Sequence, residues 1–403
     1  MLTGARQTGK STLARAAFSD YPVIDLDSPV EREVYERLGP SEWIDRYPRA
    51  IIDEAQKLPA VFETVKACYD RDPDVRYLLL GSSQILLLGG VRETLAGRVA
   101  RAELYPFTLP ELATDGAPDE PGRSLLIDLL EADRPAEALA DLVAPDHSLD
   151  PGFATARRCF EDYLVFGGMP AVHSPGWSDR DRFDWLRDYH ATYLQRDLAD
   201  LARIDRLEPF VRAQRAAALR AGMPVNFSEL ARLADVSPPT AKQFMRYLEI
   251  SYQVAWLPAW FRNPEKRLAK QPKLHFVDPG IRRAVLGKRG EADGAEFEGA
   301  IVAEVFKQCR TARLPVELHH LRTVDGREVD LLVEREDGFL AFECKQTRRV
   351  APADFRHLRR LEELLDKRLL LGLVVSNDTL TLRVSDAEPE LWNLSAPALL
   401  GAP

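Results

Sequence analysis

Gly4-Ala5-Arg6-Gln7-Thr8-Gly9-Lys10-Ser11 fits the spacing GxxxxGK[ST]. Glycines at both ends let such a loop wrap, so that successive backbone N–H groups point at a phosphate. Gly4, Gln7, Thr8 and Gly9 would line the cradle. Lys10 would reach the β- and γ-phosphate oxygens, and the Ser11 hydroxyl would ligate Mg²⁺. Thr12 lies in a good helix-forming stretch, Thr12 to Ala17, whose positive N-terminal end would face the phosphates. The pattern predicts ATP with Mg²⁺ as ligands. A second motif, Ala50-Ile51-Ile52-Asp53-Glu54-Ala55-Gln56, reads as an apolar strand delivering two adjacent carboxylates at its end. Asp53 suits the Mg²⁺ shell, and Glu54 suits polarisation of the attacking water. Ser82, in Gly81-Ser82-Ser83-Gln84, ends the next apolar run and could hydrogen-bond that water or the γ-phosphate; a plain Gly-Ser turn is the alternative. Arg98, after Leu95-Ala96-Gly97, offers a cation to the γ-phosphate, in its own subunit or a neighbour's, or else a surface ion pair.

A second constellation lies near the other end of the chain. Glu328-Val329-Asp330-Leu331-Leu332-Val333-Glu334 and Phe339-Leu340-Ala341-Phe342-Glu343-Cys344-Lys345 read as two strands joined at Glu336-Asp337-Gly338. Strand side chains alternate, so Glu343 and Lys345 share a face, with Asp330 on the adjacent strand. This D…ExK arrangement resembles the PD-(D/E)xK nucleases. The resemblance implies that Asp330 and Glu343 hold Mg²⁺ and that Lys345 positions or activates water. It also implies a glutamate on an upstream helix, for which Glu298 and Glu304 are candidates. Six residues apart, these two do not share a helix face well at about 100° per residue, and Glu298 is preferred. A fold retained without activity is the alternative.

Between the two constellations, Phe227 to Ala234 and Pro238 to Leu248 read as helices around an Asp235-Val236-Ser237 turn, with Ser228 as N-cap. Ala231, Val236, Ala241, Phe244 and Leu248 are the expected core of this pair. Lys242, Gln243 and Arg246 could then face DNA, with a strand from Ser251 to Trp256 as a wing. A basic stretch from Arg262 to Lys273 adds candidate phosphate contacts. A module that only packs against its neighbours is the competing reading.

The elements that must position these residues follow from the remaining pattern. The chain has 403 residues with 45% hydrophobic and 29% charged, enough apolar material for several cores. Its net charge of −9 requires any nucleic-acid contact to come from a local basic surface. Four scattered cysteines without CxxC pairing argue against a disulfide scaffold or zinc ribbon and fit a reducing, cytoplasmic setting. No signal peptide or membrane span is visible. Short apolar runs at Val23 to Leu26, Ala50 to Ile52 and Tyr77 to Leu80 alternate with helical patterns, which implies a parallel sheet covered by helices.

The GARQTGKST, IIDEAQ and LLLGSSQ segments and ETLAGRV…LYPFTLPEL are similar to the AAA-type ATPases that carry a DUF4143 C-terminal region. Tyr163-Leu164…Gly167-Gly168-Met169-Pro170, Tyr193-Leu194-Gln195-Arg196-Asp197, Lys270-Gln271-Pro272-Lys273-Leu274…Asp278 and Arg327-Glu328-Val329-Asp330…Glu343-Cys344-Lys345 extend the resemblance over nearly the whole chain. It implies an α/β protein with a P-loop ATPase parallel sheet, a helical lid, a winged helix and a restriction-nuclease-like α/β domain. The expected division is 1–112 for the ATPase core, 113–205 for an acidic insertion and lid, 206–260 for the winged helix, 261–290 for a basic linker and 291–403 for the nuclease-like domain. Only Met1-Leu2-Thr3 precede the loop, so the first strand is expected to be a stub, or the chain to start downstream of the true start. The favoured function couples ATP hydrolysis to a DNA-associated task, with endonucleolytic cleavage as one form that task could take. The alternatives are a nucleotide-gated switch that binds a protein partner around an inactive nuclease-like scaffold, and a transcription regulator using the winged helix alone. A homo-oligomer is left open.

Overall fold

The computed structural model describes residues 1–81, 97–114, 122–142, 145–193, 207–385 and 389–401. They divide into two compact units. The first holds Met1–Pro106, Tyr193–Asp205 and Ile250–Tyr252; the second holds Phe107–Thr192, Arg206–Glu249 and Gln253–Pro403.

The first unit is built on a five-stranded sheet. Its strands are β1 (Leu2–Gly4), β2 (Val23–Asp25), β3 (Arg49–Asp53), β4 (Arg76–Gly81) and β5 (Ala102–Leu104), in the order β2-β3-β4-β1-β5. All its pairings are parallel. Each apolar run predicted from the sequence falls on one of these strands. Ile52, Leu79 and Leu80 are buried because a parallel sheet is covered on both faces. Helices α1 (Lys10–Ala17), α2 (Pro29–Arg37), α3 (Pro40–Arg46) and α4 (Ala60–Arg71) connect the strands. Ser28 and Pro29 start α2: the hydroxyl accepts from the Glu31 N–H, and proline occupies a first-turn position whose N–H is not needed. The short β1 is central in the sheet, paired with both β4 and β5.

The second unit begins with α5 (Leu109–Leu112), α6 (Leu125–Glu131), α7 (Pro135–Leu142), α8 (Pro151–Phe166) and α9 (Asp179–Tyr193). Leu126, Leu129, Leu130 and Leu139 on this acidic stretch join the same buried cluster as Leu331 and Phe342. Gly167 ends α8 with φ 74°, and a Cβ there would sit 2.0 Å from Asp278 Oδ1. Asp278 in turn accepts from the Gly168 N–H at 2.7 Å and the Ile281 N–H at 2.9 Å. Two sequence signals 110 residues apart are thus one contact, which only glycine permits.

Next come α10 (Leu207–Leu219), α11 (Phe227–Ala234), α12 (Pro238–Ile250), and an antiparallel ribbon of β6 (Val254–Leu257) and β7 (Lys273–Phe276) around α13 (Pro264–Ala269). Of the expected core of the helix pair, Ala231, Ala241, Phe244 and Leu248 are buried, while Val236 in the turn is half-buried. The N-cap of α11 is Asn226, not Ser228: its side chain accepts from the Ser228 and Glu229 N–H groups. The helix starts at Phe227, so Ser228 lies inside it, two positions after the cap.

Helix α14 (Pro279–Leu286) and the long α15 (Gly294–Thr311) lead into a six-stranded mixed sheet. It comprises β8 (Glu317–Arg322), β9 (Glu328–Glu334), β10 (Phe339–Lys345), β11 (Leu369–Ser376), β12 (Leu382–Ser385) and β13 (Leu391–Ser395), in the order β12-β13-β11-β10-β9-β8. Phe297, Ala300, Ile301 and Val305 of α15 share one core with Leu331, Phe342 and Leu373 of the sheet. Glu304 and Lys307 of α15 are fully buried and pair at 2.9 Å. They also hold the chain that enters this unit, through the Leu109 N–H and the Phe107 carbonyl. No described helix is long and apolar enough to cross a membrane.

Candidate functional sites: a phosphate loop and a carboxylate cluster

The phosphate loop runs between β1 and α1. Gln7 (φ 59°) and Gly9 (φ 91°) take left-handed conformations that turn the chain back over the start of the helix. The Thr8 hydroxyl donates to the Ala5 carbonyl at 2.9 Å and fixes the turn. Lys10 is buried, and its ammonium donates to the Gly4 and Ala5 carbonyls at 3.1 and 2.6 Å. Ser11 Oγ donates to Asp53 Oδ2 at 2.5 Å across from β3, so the two expected Mg²⁺ ligands are neighbours. Thr12 follows in the first turn of α1.

Glu54 adopts φ 50°, a left-handed conformation that costs a non-glycine residue about 1–3 kcal/mol. Its N–H donates to Asp53 Oδ1 at 2.9 Å, and its carboxylate accepts from Gln56 Nε2. Gln56 therefore aims Glu54. The spacing of Gln56 two positions after Glu54 assigns it no such part; its burial beside the carboxylate does. Thr3 Oγ1 and the Tyr252 hydroxyl are 2.6 Å apart, so a residue far along the chain backs the loop.

Ser82 lies outside the described residues. Arg98 pairs with Asp70 at 2.8 Å. Asp70 lies near the C-terminal end of α4, which returns to the start of β4, and Arg98 immediately precedes β5. Both precede strand starts, whereas the phosphate loop follows the end of β1. The ion pair with Asp70 is the third reading given for Arg98, beside service to a γ-phosphate in its own or a neighbouring subunit.

The carboxylate cluster of the second unit gathers distant segments. Strands β9 and β10 pair antiparallel with Leu331 opposite Phe342. Continuing that register by one residue sets Asp330 opposite Glu343, on the same face of the sheet. Asp330 Oδ2 accepts from the Cys344 N–H at 2.8 Å. Glu343 Oε1 lies 2.7 Å from Lys345 Nζ and 3.3 Å from His357 Nδ1. Glu343 Oε2 is buried and has no hydrogen-bond partner. An orphaned carboxylate oxygen beside a second carboxylate is a donor set that fits a hard divalent cation.

Glu298, on the first turns of α15, contributes to this cluster electrostatically. Burial first, and then the Asp330 charge, push both Glu298 and Glu343 up to about 7. Burial also raises the Asp330 carboxyl. Glu298 Oε1 lies 3.3 Å from Lys273 Nζ, which lies 2.9 Å from Glu328 Oε1. Among the described residues, Glu298, Asp330 and Glu343 do not bring three ligand atoms within 4.8 Å of one another. Glu304, the other helix candidate, pairs with Lys307 as part of the core.

A different trio, Glu317, His319 and Glu334, does bring its ligand atoms within 4.8 Å. Glu334 already pairs with Arg267 at 3.1 Å and Lys367 at 3.0 Å. These cations neutralise the carboxylate a metal would need, and the trio ties α13 to the sheet edge instead.

Lys242, Gln243 and Arg246 are exposed on α12. The basic stretch differs from expectation. Arg262 donates to the Leu365 carbonyl, Arg267 pairs with Glu334 and Asp366, and Lys273 is buried against Glu298 and Glu328. Lys266 and Lys270 remain exposed. Arg262 is exposed too, while the inward turn of Arg267 and Lys273 follows from the carboxylates that β9 and α15 place beside them.

Comparison with known proteins follows the same division. Residues 1–113 match the family described as an AAA domain, 157–292 a domain of unknown function, DUF8612, and 293–396 the domain of unknown function DUF4143. The chain thus has an N-terminal AAA-type ATPase domain and a C-terminal DUF4143 region, and the resemblance drawn from its motifs is borne out. Relatives include the uncharacterized proteins Rv2008c of Mycobacterium tuberculosis and Mb2031c of Mycobacterium bovis. Each is 29% identical over 356 residues, covering 86% of this chain and 70% of the relative. Among solved structures, the Walker-type ATPase PABY2304 of Pyrococcus abyssi is similar with TM-score 0.41 and 16% identity, over 70% of this chain and 89% of that one. The ADP form of the Aeropyrum pernix ORC2 protein gives TM-score 0.26 and 13% identity, over 78% and 88%.

Proposed function

We propose that the chain hydrolyses ATP with Mg²⁺ and couples the nucleotide cycle to metal-dependent cleavage of DNA by the C-terminal carboxylate cluster. The observation that carries the cleavage reading is Asp330 facing Glu343 across β9 and β10, with Lys345 two residues along and one Glu343 oxygen unpartnered. A purely structural hairpin gains nothing from two buried carboxylates on one face, since they repel each other and resist ionisation.

In the first unit, Lys10 holds the β- and γ-phosphates, and Ser11 with Asp53 holds Mg²⁺. Glu54, oriented by Gln56, accepts a proton from the attacking water. Arg98 supplies charge to a neighbouring subunit's γ-phosphate in a homo-oligomer. In the second unit, Asp330 and Glu343 hold a divalent ion whose chemistry is charge neutralisation at a scissile phosphate. Lys345 orients the water. The exposed face of Lys242, Gln243 and Arg246 in a winged helix holds the duplex. The fold, with its reducing-type cysteines, fits a cytoplasmic protein.

A nucleotide-gated switch that binds a protein partner is the second reading, favoured by one observation: Glu298 is occupied by Lys273 rather than converging on Asp330 and Glu343. The deciding experiment incubates duplex DNA with Mg²⁺ or Mn²⁺ and the wild-type or Glu343→Ala chain. Cleavage by the wild type that Glu343→Ala abolishes supports the nuclease. Intact DNA in both, with ATP turnover present, favours the switch.

A further inference from the structure

Lys273 is the least expected member of the carboxylate cluster. Its side chain is only 2% exposed, although it comes from a stretch that reads as a surface phosphate contact. An ammonium this deeply buried persists only where carboxylates surround it. Glu298 and Glu328 do so at 3.3 and 2.9 Å, and the Asp330 charge acts on it as well. Glu328 has a further, more distant cation in Arg322 at 3.9 Å, whose side chain is half-exposed. Glu298 has Lys273 as its ion-pair partner within 4.0 Å.

The backbone fixes Lys273 in this position. Strand β7 pairs with β6, and its neighbours accept from the segment before α11: Leu274 from the Gly222 N–H, Pro272 from the Val225 N–H, both at 2.9 Å. The ammonium is thus delivered by the β6–β7 ribbon into a cluster built on α15, β9 and β10. Lys345 takes only one Glu343 oxygen, Oε1; Oε2 stays unpartnered, and Asp330 stands across from Glu343 on the next strand. The Glu298 part of the cluster is thus filled by Lys273, while a Glu343 oxygen is left for a further cation.

We propose that Lys273 is a built-in cation of the carboxylate cluster, occupying the Glu298 side, so that the cluster takes one divalent ion, at Asp330 and Glu343, and not two. This inference rests on the reading of Asp330 and Glu343 as metal ligands. A fixed ammonium beside Glu298 repels a second divalent ion that would use it. Lys273 is a positioning residue here, since it acts through Glu298.

The test counts Mn²⁺ bound per full-length chain, by titration calorimetry and by the free-Mn²⁺ electron paramagnetic resonance signal. It is done without nucleotide and in an Asp53→Asn background, so that the phosphate-loop site does not contribute. The expected result is one ion, lost in Asp330→Asn. Lys273→Met should bind two, and adding Glu298→Gln to Lys273→Met should return the count to one; Lys273→Arg should keep one. Two ions in the chain with Lys273 intact overturn the proposal whether or not the Lys273→Met chain folds. One ion in a Lys273→Met chain with native circular dichroism overturns it too. No ion with Lys273 intact, or one that Asp330→Asn leaves in place, overturns instead the underlying assignment of Asp330 and Glu343.

Discussion

The two sites place their carboxylates in contrasting ways. At the phosphate loop, Asp53 and Glu54 are adjacent in sequence at the end of one parallel strand, and Ser11 reaches Asp53 from the next helix. At the carboxylate cluster, Asp330, Glu343, Glu298, Glu328 and Lys273 come from β9, β10, α15 and β7. The first site is half-open and built from local geometry. The second is buried, and its carboxylates lie beside Lys345 of β10 and Lys273 of β7. A local site can bind and release a nucleotide without disturbing a core. A buried one gains or loses charge only together with its partners, so its ion and proton binding are linked.

That contrast is breakable by substitution. The largest effect is expected at Glu343 or Lys345. Changing either to alanine should remove metal-dependent DNA cleavage altogether, while ATP turnover, read by phosphate release, stays near the wild-type rate. Parallel loss of both activities would mean that the sites are not separable.

Changes at the loop should act on nucleotide alone. Glu54→Gln should lower ATP turnover by about a hundredfold or more with nucleotide still bound, as expected for loss of a general base. Lys10→Ala should weaken ATP binding by roughly a hundredfold, the loss of about 3 kcal/mol from charge-assisted contacts. Turnover unchanged in Glu54→Gln would move the base elsewhere.

The pH response should separate the sites next. The Glu298 and Glu343 carboxyls are raised by burial and the Asp330 charge to about 7, from the ordinary 4.5. The folded chain therefore keeps protons that the unfolded chain releases. Their stabilising contribution is complete below about pH 4.5 and is lost as pH climbs to about 7. In EDTA, the Tm of the second unit's transition should fall over this window. Mn²⁺ should restore it, most strongly above pH 7, because ion binding displaces those protons. A Tm that rises with pH across the window would contradict the buried-carboxylate account.

Arg98 should behave as a group acting between subunits. Mixing Arg98→Ala with Glu54→Gln chains should recover part of the lost turnover, and the wild-type specific rate should rise with protein concentration. No recovery leaves Arg98 as the partner of Asp70. The smallest effect belongs to α12: Lys242→Ala or Arg246→Ala should weaken DNA binding severalfold and reduce the salt slope by about one.

What was legible in the sequence follows the same division. The GxxxxGK[ST] spacing and the apolar strand ending in Asp53 placed Ser11 beside Asp53, because a loop and one neighbouring strand suffice to do so. The alternation around Gly338 placed Asp330 on the face of Glu343. Lys273, Glu328 and His357 were not legible as members of the cluster, since nothing in their local pattern points inward; tertiary packing decides it. The same holds for Arg262 and Arg267, whose partners lie 67 to 103 residues away. The cap at Asn226 was missed for a smaller reason: asparagine and serine two positions apart both make good caps, and only the backbone chooses.

The central claim is that nucleotide turnover serves a DNA-directed task. The most direct measurement is steady-state ATP hydrolysis by the full chain at low salt, with no DNA, with single-stranded DNA and with duplex. The account predicts a severalfold rise in turnover with duplex that Glu54→Gln removes and that Lys242→Ala with Arg246→Ala blunts. A rate indifferent to both forms of DNA, at concentrations where the duplex is bound, would contradict it.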